Sequence, residues 1–492
     1  MVGPRSTGCR RCVARRIKCD EGRPTCERCR RSGFSCPGYR PTLHFLQPVT
    51  AASTPSNPKS DEERARSRST LSTKTSSPPP SAISWLMRLS IVPSPTAYTE
   101  DVYFTFFLDK YFNFGNWNDD LQSNKAWLNR SFQQPSTNPL SSLAIRCLVS
   151  AFFSNTHESP QLQRDAFKLY GKALFALHKS IEGEADFDLL SAVAVLGLYE
   201  SCVYTTQAAW RNHVRALKRL VQSKGSDYFR TRPARSLLMW TRYTFILESI
   251  VTRTRCFLED SEWAQILTSD DNESSWTLKL GDIVVVMGGI CEGVKALREK
   301  NVDDVTAEAS ELLDRLSKLL DDLHDWWVAW SSDPTRLPSR TFPTEQNHIE
   351  GPPPMPGMDT STVLGFTNLE AASGWCRYHT HVILAMHWIQ KLKALNIPSL
   401  SADIESRGLV RTGSLEIEAH AFAICEALYF YSLPQHCHLG SVYVTLPARV
   451  SWQALPPNSA YTHWIEEFMN SISHTGGFVI PKHALKEIVT DE

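Results

Sequence analysis

Nothing in these 492 residues approaches the roughly 18 consecutive apolar positions that a membrane span requires; the longest apolar runs lie near Leu189–Tyr199 and Ile283–Ile290. No apolar h-region follows Arg5, Arg10 and Arg11, so no secretory leader is expected. A chain without an export signal is expected in a reducing compartment, where thirteen cysteines do not build a disulfide framework. Catalytic signatures are missing as well: there is no G-x-S-x-G, no H-E-x-x-H, no Walker A glycine loop and no G-x-G-x-x-G. Scattered Ser, His and Asp do not replace them, and no enzyme activity is expected. Two local absences matter more. Histidine is absent from residues 1–40, and aromatic residues are absent from Pro48 to Pro80.

What is present is unevenly distributed. The chain is 42% apolar and 10% aromatic, enough to bury a large core, and its length suggests two to four domains. Its formal net charge of zero hides an asymmetry. Residues 1–40 carry eleven Arg/Lys against three Asp/Glu, and the remainder carries 41 against 49. A basic head on an acidic body points to a polyanionic partner for the head alone. Within Pro48–Pro80, eight Ser, five Thr and six Pro fill 19 of 33 positions. Such a segment cannot bury enough apolar surface to offset its ordering entropy. Residues 48–82 therefore read as a disordered linker with a reach on the order of 30 Å. Its patch of Arg64, Arg66 and Arg68 reads as solvated linker, or as an aid to nuclear import.

All fourteen Trp lie from Trp85 to Trp464, which places the packed core in the C-terminal region. Helical periodicity predominates there. In Arg164–Ile181 a single inward stripe of Phe167, Tyr170, Leu174, Leu177 and Ile181 is expected. Trp210–Lys224 repeats the pattern through Val214, Leu217, Leu220 and Val221, with Gly225 as the residue that ends the helix. Ala307–Trp330 is expected to turn Leu312, Leu316, Leu319, Leu320 and Leu323 inward. Asp282–Ile290 reads as helix rather than buried strand, and Ser331–Thr360, rich in Pro, as a long surface loop.

The strongest pattern is Cys9-x2-Cys12-x6-Cys19-x6-Cys26-x2-Cys29-x6-Cys36, two copies of C-x2-C-x6-C offset by 17 residues. Thiolate-rich sites in a reducing compartment favour zinc, which takes four tetrahedral ligands. One ion would idle two cysteines, and two ions need eight ligand positions, so two sulfurs must bridge. Symmetry makes the first cysteine of each half, Cys9 and Cys26, the bridging pair. The two ligand sets are then Cys9, Cys12, Cys19 and Cys26, and Cys26, Cys29, Cys36 and Cys9. A closed all-sulfur site leaves no place for a catalytic water, so the two zinc ions are structural and stand in for a core. Between Cys12 and Cys19, Arg15, Arg16 and Lys18 present cations suited to guanine O6 and N7. The second half offers Arg28, Arg30 and Arg31 for phosphates.

The spacing, the basic run before Cys19, the Cys19-Asp20 pair, Pro24 and Cys36-Pro37-Gly38-Tyr39 resemble the fungal binuclear zinc cluster DNA-binding domain over residues 8–39. The resemblance implies a nuclear, sequence-specific transcription factor that reads CGG-type triplets in double-stranded DNA. It implies that Arg16 and Lys18 sit nearest the bases, with Arg15, Arg10, Arg11, Arg30 and Arg31 on phosphate. Many members are basic just after the second cysteine; here Val13 stands there, which removes one phosphate contact. Further on, Tyr170, Ala173, Leu174, Leu177, Leu196, Tyr199, Glu200, Trp210, His213, Ala216 and Leu220 resemble the fungal-specific transcription factor domain over residues 95–480. That resemblance implies an all-helical regulatory region, not a known ligand site; the helical body is expected to form a homodimer, bind a coregulator or sense a metabolite. The expected architecture is thus a small irregular zinc-stapled α domain, a disordered linker and a large all-α domain, with no membrane partner. The alternative is a zinc-stapled protein-interaction coregulator that does not itself read DNA; the basic head argues against it.

Other chemistry-bearing residues read as structural. Cys147, Cys202, Cys256, Cys291, Cys376, Cys425 and Cys437 are expected in the core. His213 and Glu200 read as satisfied helix residues, and His379 and His381 as neighbours that do not face one another. His436-Cys437-His438 reads as a surface loop. Trp326, Trp327 and Trp330, beside Asp321, Asp322 and Asp325, read as a helix packed on the core rather than an activation surface.

Overall fold

The computed structural model describes residues 9–36, except 10, 13, 14, 16, 21, 23–25 and 35. It also describes 95–485, except 113–126, 129–138, 182, 184, 185, 207, 269–274, 301–304, 342–354, 358–361 and 410–413. The linker expected at 48–82 lies outside the described residues. Contacts divide the chain into two units, Met1–Leu86 and Met87–Glu492.

The head has a core of sulfur. Among its described residues, the buried side chains are those of Cys9, Cys12, Cys26 and Cys29, with Cys19 and Cys36 packed against them. Its short helix α1 (Glu27–Arg31) begins at Cys26, whose Sγ accepts from the Cys29 N–H.

The described body is helical apart from 3-10 turns and one two-stranded ribbon. Its helices run α2 (Pro95–Phe112), α3 (Pro139–Thr156), α4 (Pro160–Ser180), α5 (Phe187–Val203), α6 (Ala209–Lys224), α7 (Ala234–Thr252), α8 (Ser261–Thr268), α9 (Trp276–Val284), α10 (Met287–Arg298) and α11 (Thr306–Ser331). The ribbon pairs β1 (Ser339–Thr341) antiparallel with β2 (Val363–Gly365), Ser339 opposite Gly365. There follow α12 (Leu369–Lys393), α13 (Pro398–Ser406), α14 (Ser414–Ser432), α15 (Cys437–Tyr443), α16 (Thr445–Ala454), α17 (Ala460–Gly476) and α18 (Ile480–Ala484).

Two helices organise the core. In α5 the run Leu189–Cys202 is buried on every side, and Asp186 caps it by accepting from the Leu189 N–H at 2.8 Å. A helix apolar all round belongs in an interior, and α5 packs between α3 and α6. In α12, Asn368 caps by accepting from the Ala371 N–H at 2.8 Å, and the helix packs on α11, α14 and α16.

Several expectations hold. Helix α6 buries Val214, Leu217 and Val221, and Gly225 closes it at φ +72°, where a side chain would be strained. Helix α11 buries Leu312, Leu316, Leu319 and Leu323, with Trp326 and Trp330 also inside; Leu320 is half-buried. Residues 282–290 fall in the end of α9, the link and the start of α10, so the segment is helical and not a strand. Two expectations are corrected. The segment expected as a pure surface loop after Ser331 contains β1. Helix α4 is also rotated from the expected stripe: Ala166, Tyr170, Ala173 and Leu177 are buried, while Phe167, Leu174 and Ile181 are 59%, 38% and 53% exposed. The small side chains of Ala166 and Ala173 let α4 lie close against α3, and the larger apolar residues are left outside.

Candidate metal centre and nucleic-acid interface

The internal repeat of the sequence reappears in the backbone of the head. The Cys12 N–H donates to Cys9 Sγ, and the Cys29 N–H to Cys26 Sγ, both at 3.4 Å. Arg15 N–H donates to Arg11 O at 3.0 Å, and Ser32 N–H to Arg28 O at 3.3 Å. Ile17 N–H donates to Cys12 O at 3.1 Å, and Phe34 N–H to Cys29 O at 3.0 Å. Each pair is separated by the 17-residue offset of the cysteines. Each half therefore opens with a turn that presents one sulfur to its own amide and to the other half.

The sulfurs meet in two interlocking sets. Cys9, Cys12, Cys19 and Cys26 form one, and Cys9, Cys26, Cys29 and Cys36 the other, with all sulfurs of a set within 4.8 Å of one another. Cys9 and Cys26 belong to both and lie 3.6 Å apart. Cys12 to Cys26 and Cys9 to Cys29 are each 3.8 Å. A tetrahedron with Zn–S bonds of about 2.3 Å has S–S edges of about 3.8 Å. The spacing therefore fits two tetrahedra sharing the Cys9–Cys26 edge. Thiols crowded together without a cation favour their neutral form. Desolvation, with a hydrogen bond from Cys9, pushes Cys12 up to about 12, and desolvation also raises Cys26. A bound dication reverses that preference, because thiolates coordinate it.

Asp20 ties the halves together. Its carboxylate accepts from Arg28 N–H at 3.0 Å and Glu27 N–H at 2.8 Å, at the start of α1. Those backbone hydrogen bonds hold its carboxyl below the usual carboxylate range.

The described cations fall into two groups. Arg15 and Lys18 are exposed, and Arg11 is half-buried. The Arg11 guanidinium lies 4.0 Å from the centre of the Phe34 ring, and that of Arg15 lies 5.5 Å away. Phe34, from the second half, thus orients arginines of the first. On α1, Arg30 and Arg31 share one carboxylate: Glu27 accepts from both, at 2.8 Å and 3.1 Å. Sequence spacing alone did not reveal this clamp. Arg10 and Arg16 lie outside the described residues. By the repeat, Arg15, Arg16 and Lys18 correspond to Ser32, Gly33 and Ser35. The basic loop is therefore present in the first half alone.

Residues 7–44 match the fungal Zn(2)-Cys(6) binuclear cluster domain, and residues 102–430 match the fungal specific transcription factor domain. The chain belongs to the fungal specific transcription factor family. This is a family of transcription factors, not enzymes, and its zinc cluster head binds zinc. Over 62 residues the chain is 42% identical to the Zn(2)-C6 fungal-type transcription factor afumD of Aspergillus fumigatus, covering 11% of this chain and 17% of that one. Over 39 residues it is 51% identical to the aspercryptin biosynthesis cluster-specific transcription regulator atnN of Emericella nidulans, covering 8% of this chain and 6% of that one. Over 34 residues it is 62% identical to White-opaque regulator 2 of Candida albicans, covering 7% and 8%. The chain thus spans 17% of the length of afumD and less than a tenth of the other two. No solved structure matches it.

Other expected residues resolve within the body. Its seven cysteines are buried and free. His213 Nε2 and Tyr170 Oη share a 2.9 Å hydrogen bond, and Glu200 accepts from the Thr205 N–H and hydroxyl. Both are structural, as expected. His379 does not meet His381; its Nδ1 lies 2.6 Å from Nδ1 of His420 on α14, a partner that sequence spacing could not supply. His436-Cys437-His438 is a correction. It enters α15 rather than forming a surface loop, with Cys437 and His438 buried against α17 and His438 Nδ1 3.1 Å from Gly476 O. Among the described residues no helix is long and apolar enough to cross a membrane.

Proposed function

We propose that this chain is a nuclear, sequence-specific DNA-binding regulator of RNA polymerase II transcription that reads CGG-type triplets in the major groove. In this reading residues 8–39 form the DNA-binding domain, 48–82 a linker and 95–480 the helical regulatory domain. Two structural zinc ions would be held by Cys9, Cys12, Cys19 and Cys26, and by Cys9, Cys26, Cys29 and Cys36. Zinc supplies the rigidity that forty residues cannot obtain from an apolar core. Arg16 and Lys18 read guanine edges, and Arg10, Arg11, Arg15, Arg30 and Arg31 neutralise phosphates. The body brings two copies together, or docks a coregulator.

The observation that carries the reading is the pair of edge-sharing thiol sets beside the exposed cations Arg15 and Lys18. A closed sulfur site with a basic face is suited to holding side chains in a groove and unsuited to catalysis. The afumD and atnN relatives, both transcription regulators by name, support it. The test is selection of the full chain on a randomised duplex library, with zinc and then with chelator. Zinc-dependent enrichment of CGG-containing sites is expected. No enrichment at modest salt, with zinc bound, would overturn DNA reading in favour of a protein-interaction role.

A further inference from the structure

The helical body holds a partly open cavity of about 230 Å³ among α5, α6, α7, α9, α12 and the α15–α16 segment. A cavity of about 150 Å³ takes up benzene, so this one has room for roughly nine heavy atoms. Its walls are mostly apolar, and Tyr111, Trp210, Trp240, Tyr243 and Tyr443 make them rich in aromatic faces.

Arg242 decides the chemistry. It lines the cavity, is 2% exposed, and pairs with Asp282 through Nη2. Its Nε and Nη1 have no hydrogen-bond partner among the described residues. A buried guanidinium with donors left unmade is costly, so the site favours an acceptor from outside the chain. The other charged groups in the lining have partners of their own. The Arg377 guanidinium sits 3.8 Å from the Tyr243 ring centre, Glu370 accepts from the Ser275 hydroxyl, and burial keeps His213 neutral. With Asp282 on Arg242, two guanidinium groups meet two carboxylates and the formal charge balances, so the unmade donors of Arg242, and not a net charge, select an acceptor.

We propose that this cavity binds a small aryl carboxylic acid, its ring against the aromatic walls and its carboxylate accepting from Arg242. The site lies wholly within the body and is independent of DNA reading.

Calorimetric titration of the zinc-loaded full chain with phenylacetate, phenylacetamide and phenethylamine tests this. Phenylacetate should bind once per chain, the amide about tenfold more weakly or worse, and the amine not at all. Arg242→Gln should weaken phenylacetate by about tenfold or more. Should that variant fail to fold, Ala194→Phe serves instead: Ala194 lines the cavity from α5, and the added ring should abolish binding while the helical circular dichroism persists. Absence of saturable phenylacetate binding, equal affinity for phenethylamine, or undiminished binding in Ala194→Phe would each overturn the assignment.

Discussion

Removing Cys26 should empty both metal positions, whereas removing Cys36 should empty one. Cys26 Sγ belongs to both four-thiol sets and Cys36 Sγ to one. Cys26→Ala leaves each ion three sulfurs; Cys36→Ala leaves one tetrahedron complete. Structural zinc is worth roughly 10–16 kcal/mol in comparable small modules near neutral pH. Among the described head residues nothing but cysteine is buried, so no apolar core opposes the loss of that contribution. Cys26→Ala also deletes the acceptor for the Cys29 N–H at the start of α1, but one hydrogen bond to sulfur is roughly an order of magnitude smaller than the metal contribution. Native mass spectrometry of the full chain, desalted after zinc loading, reads the stoichiometry. About two ions are expected in the parent, about one in Cys36→Ala and none in Cys26→Ala. The circular dichroism of the helical body controls for wholesale unfolding. A single tightly held zinc in Cys26→Ala, or loss of both from Cys36→Ala, would refute edge sharing.

Lys18→Ala should cost about 1–3 kcal/mol on the preferred duplex and blur base preference there, measured by fluorescence anisotropy against a set of single-base variants. Unchanged preference would mean that Lys18 does not read bases. Glu27→Gln releases Arg30 and Arg31 from their shared carboxylate, so it should tighten binding to every duplex and steepen the salt dependence by about one unit of slope. A slope equal to the parent's would show that neither arginine approaches phosphate. Burial lowers His379 to about 3 and His381 to about 4, against about 6.5 in the unfolded chain. The unfolded state then gains protons first, so stability is nearly flat well above pH 6.5 and falls as the pH drops through it, by roughly 3 kcal/mol for the pair between 6.5 and 5. Urea titrations at pH 7 and pH 5 check this, and equal midpoints would contradict buried neutral rings.

The head was legible because metal ligation is written in spacing. Six cysteines at a 17-residue repeat leave few ways to satisfy four-coordinate ions, and the shared edge follows from counting sulfurs. What escaped were the side-chain contacts, within a half as well as between halves. Phe34 has no periodic signature, yet it faces Arg11 and Arg15 from 23 and 19 positions away in sequence. Glu27 was counted merely as an acid in a basic head, although α1 sets it within reach of the two arginines that follow at three and four residues. In the body, helix existence was legible but rotation was not. In α4 the expected stripe and the buried one share Tyr170 and Leu177, and the choice between Ala166 with Ala173 and Phe167 with Leu174 is made by α3 and α5. His420 and His379 lie 41 residues apart, and packing of α12 on α14 brings them together.

The asymmetry of the head bears on how its target is found. Backbone hydrogen bonds repeat at the 17-residue offset, but Arg15, Arg16 and Lys18 give way to Ser32, Gly33 and Ser35 in the second half. In the proposed function one head therefore carries one reading loop. A single non-palindromic triplet recurs by chance about once in 32 positions of a duplex, far too often to mark a site among the roughly million or more competing sites of a genome. Each read base pair adds about 1–3 kcal/mol of discrimination, which raises contrast at the triplet but does not reduce its frequency. A second head at a fixed distance would supply the missing information. Library selection with the full chain is thus expected to enrich duplexes with two triplets at constant spacing. Enrichment of lone triplets would refute the two-headed reading.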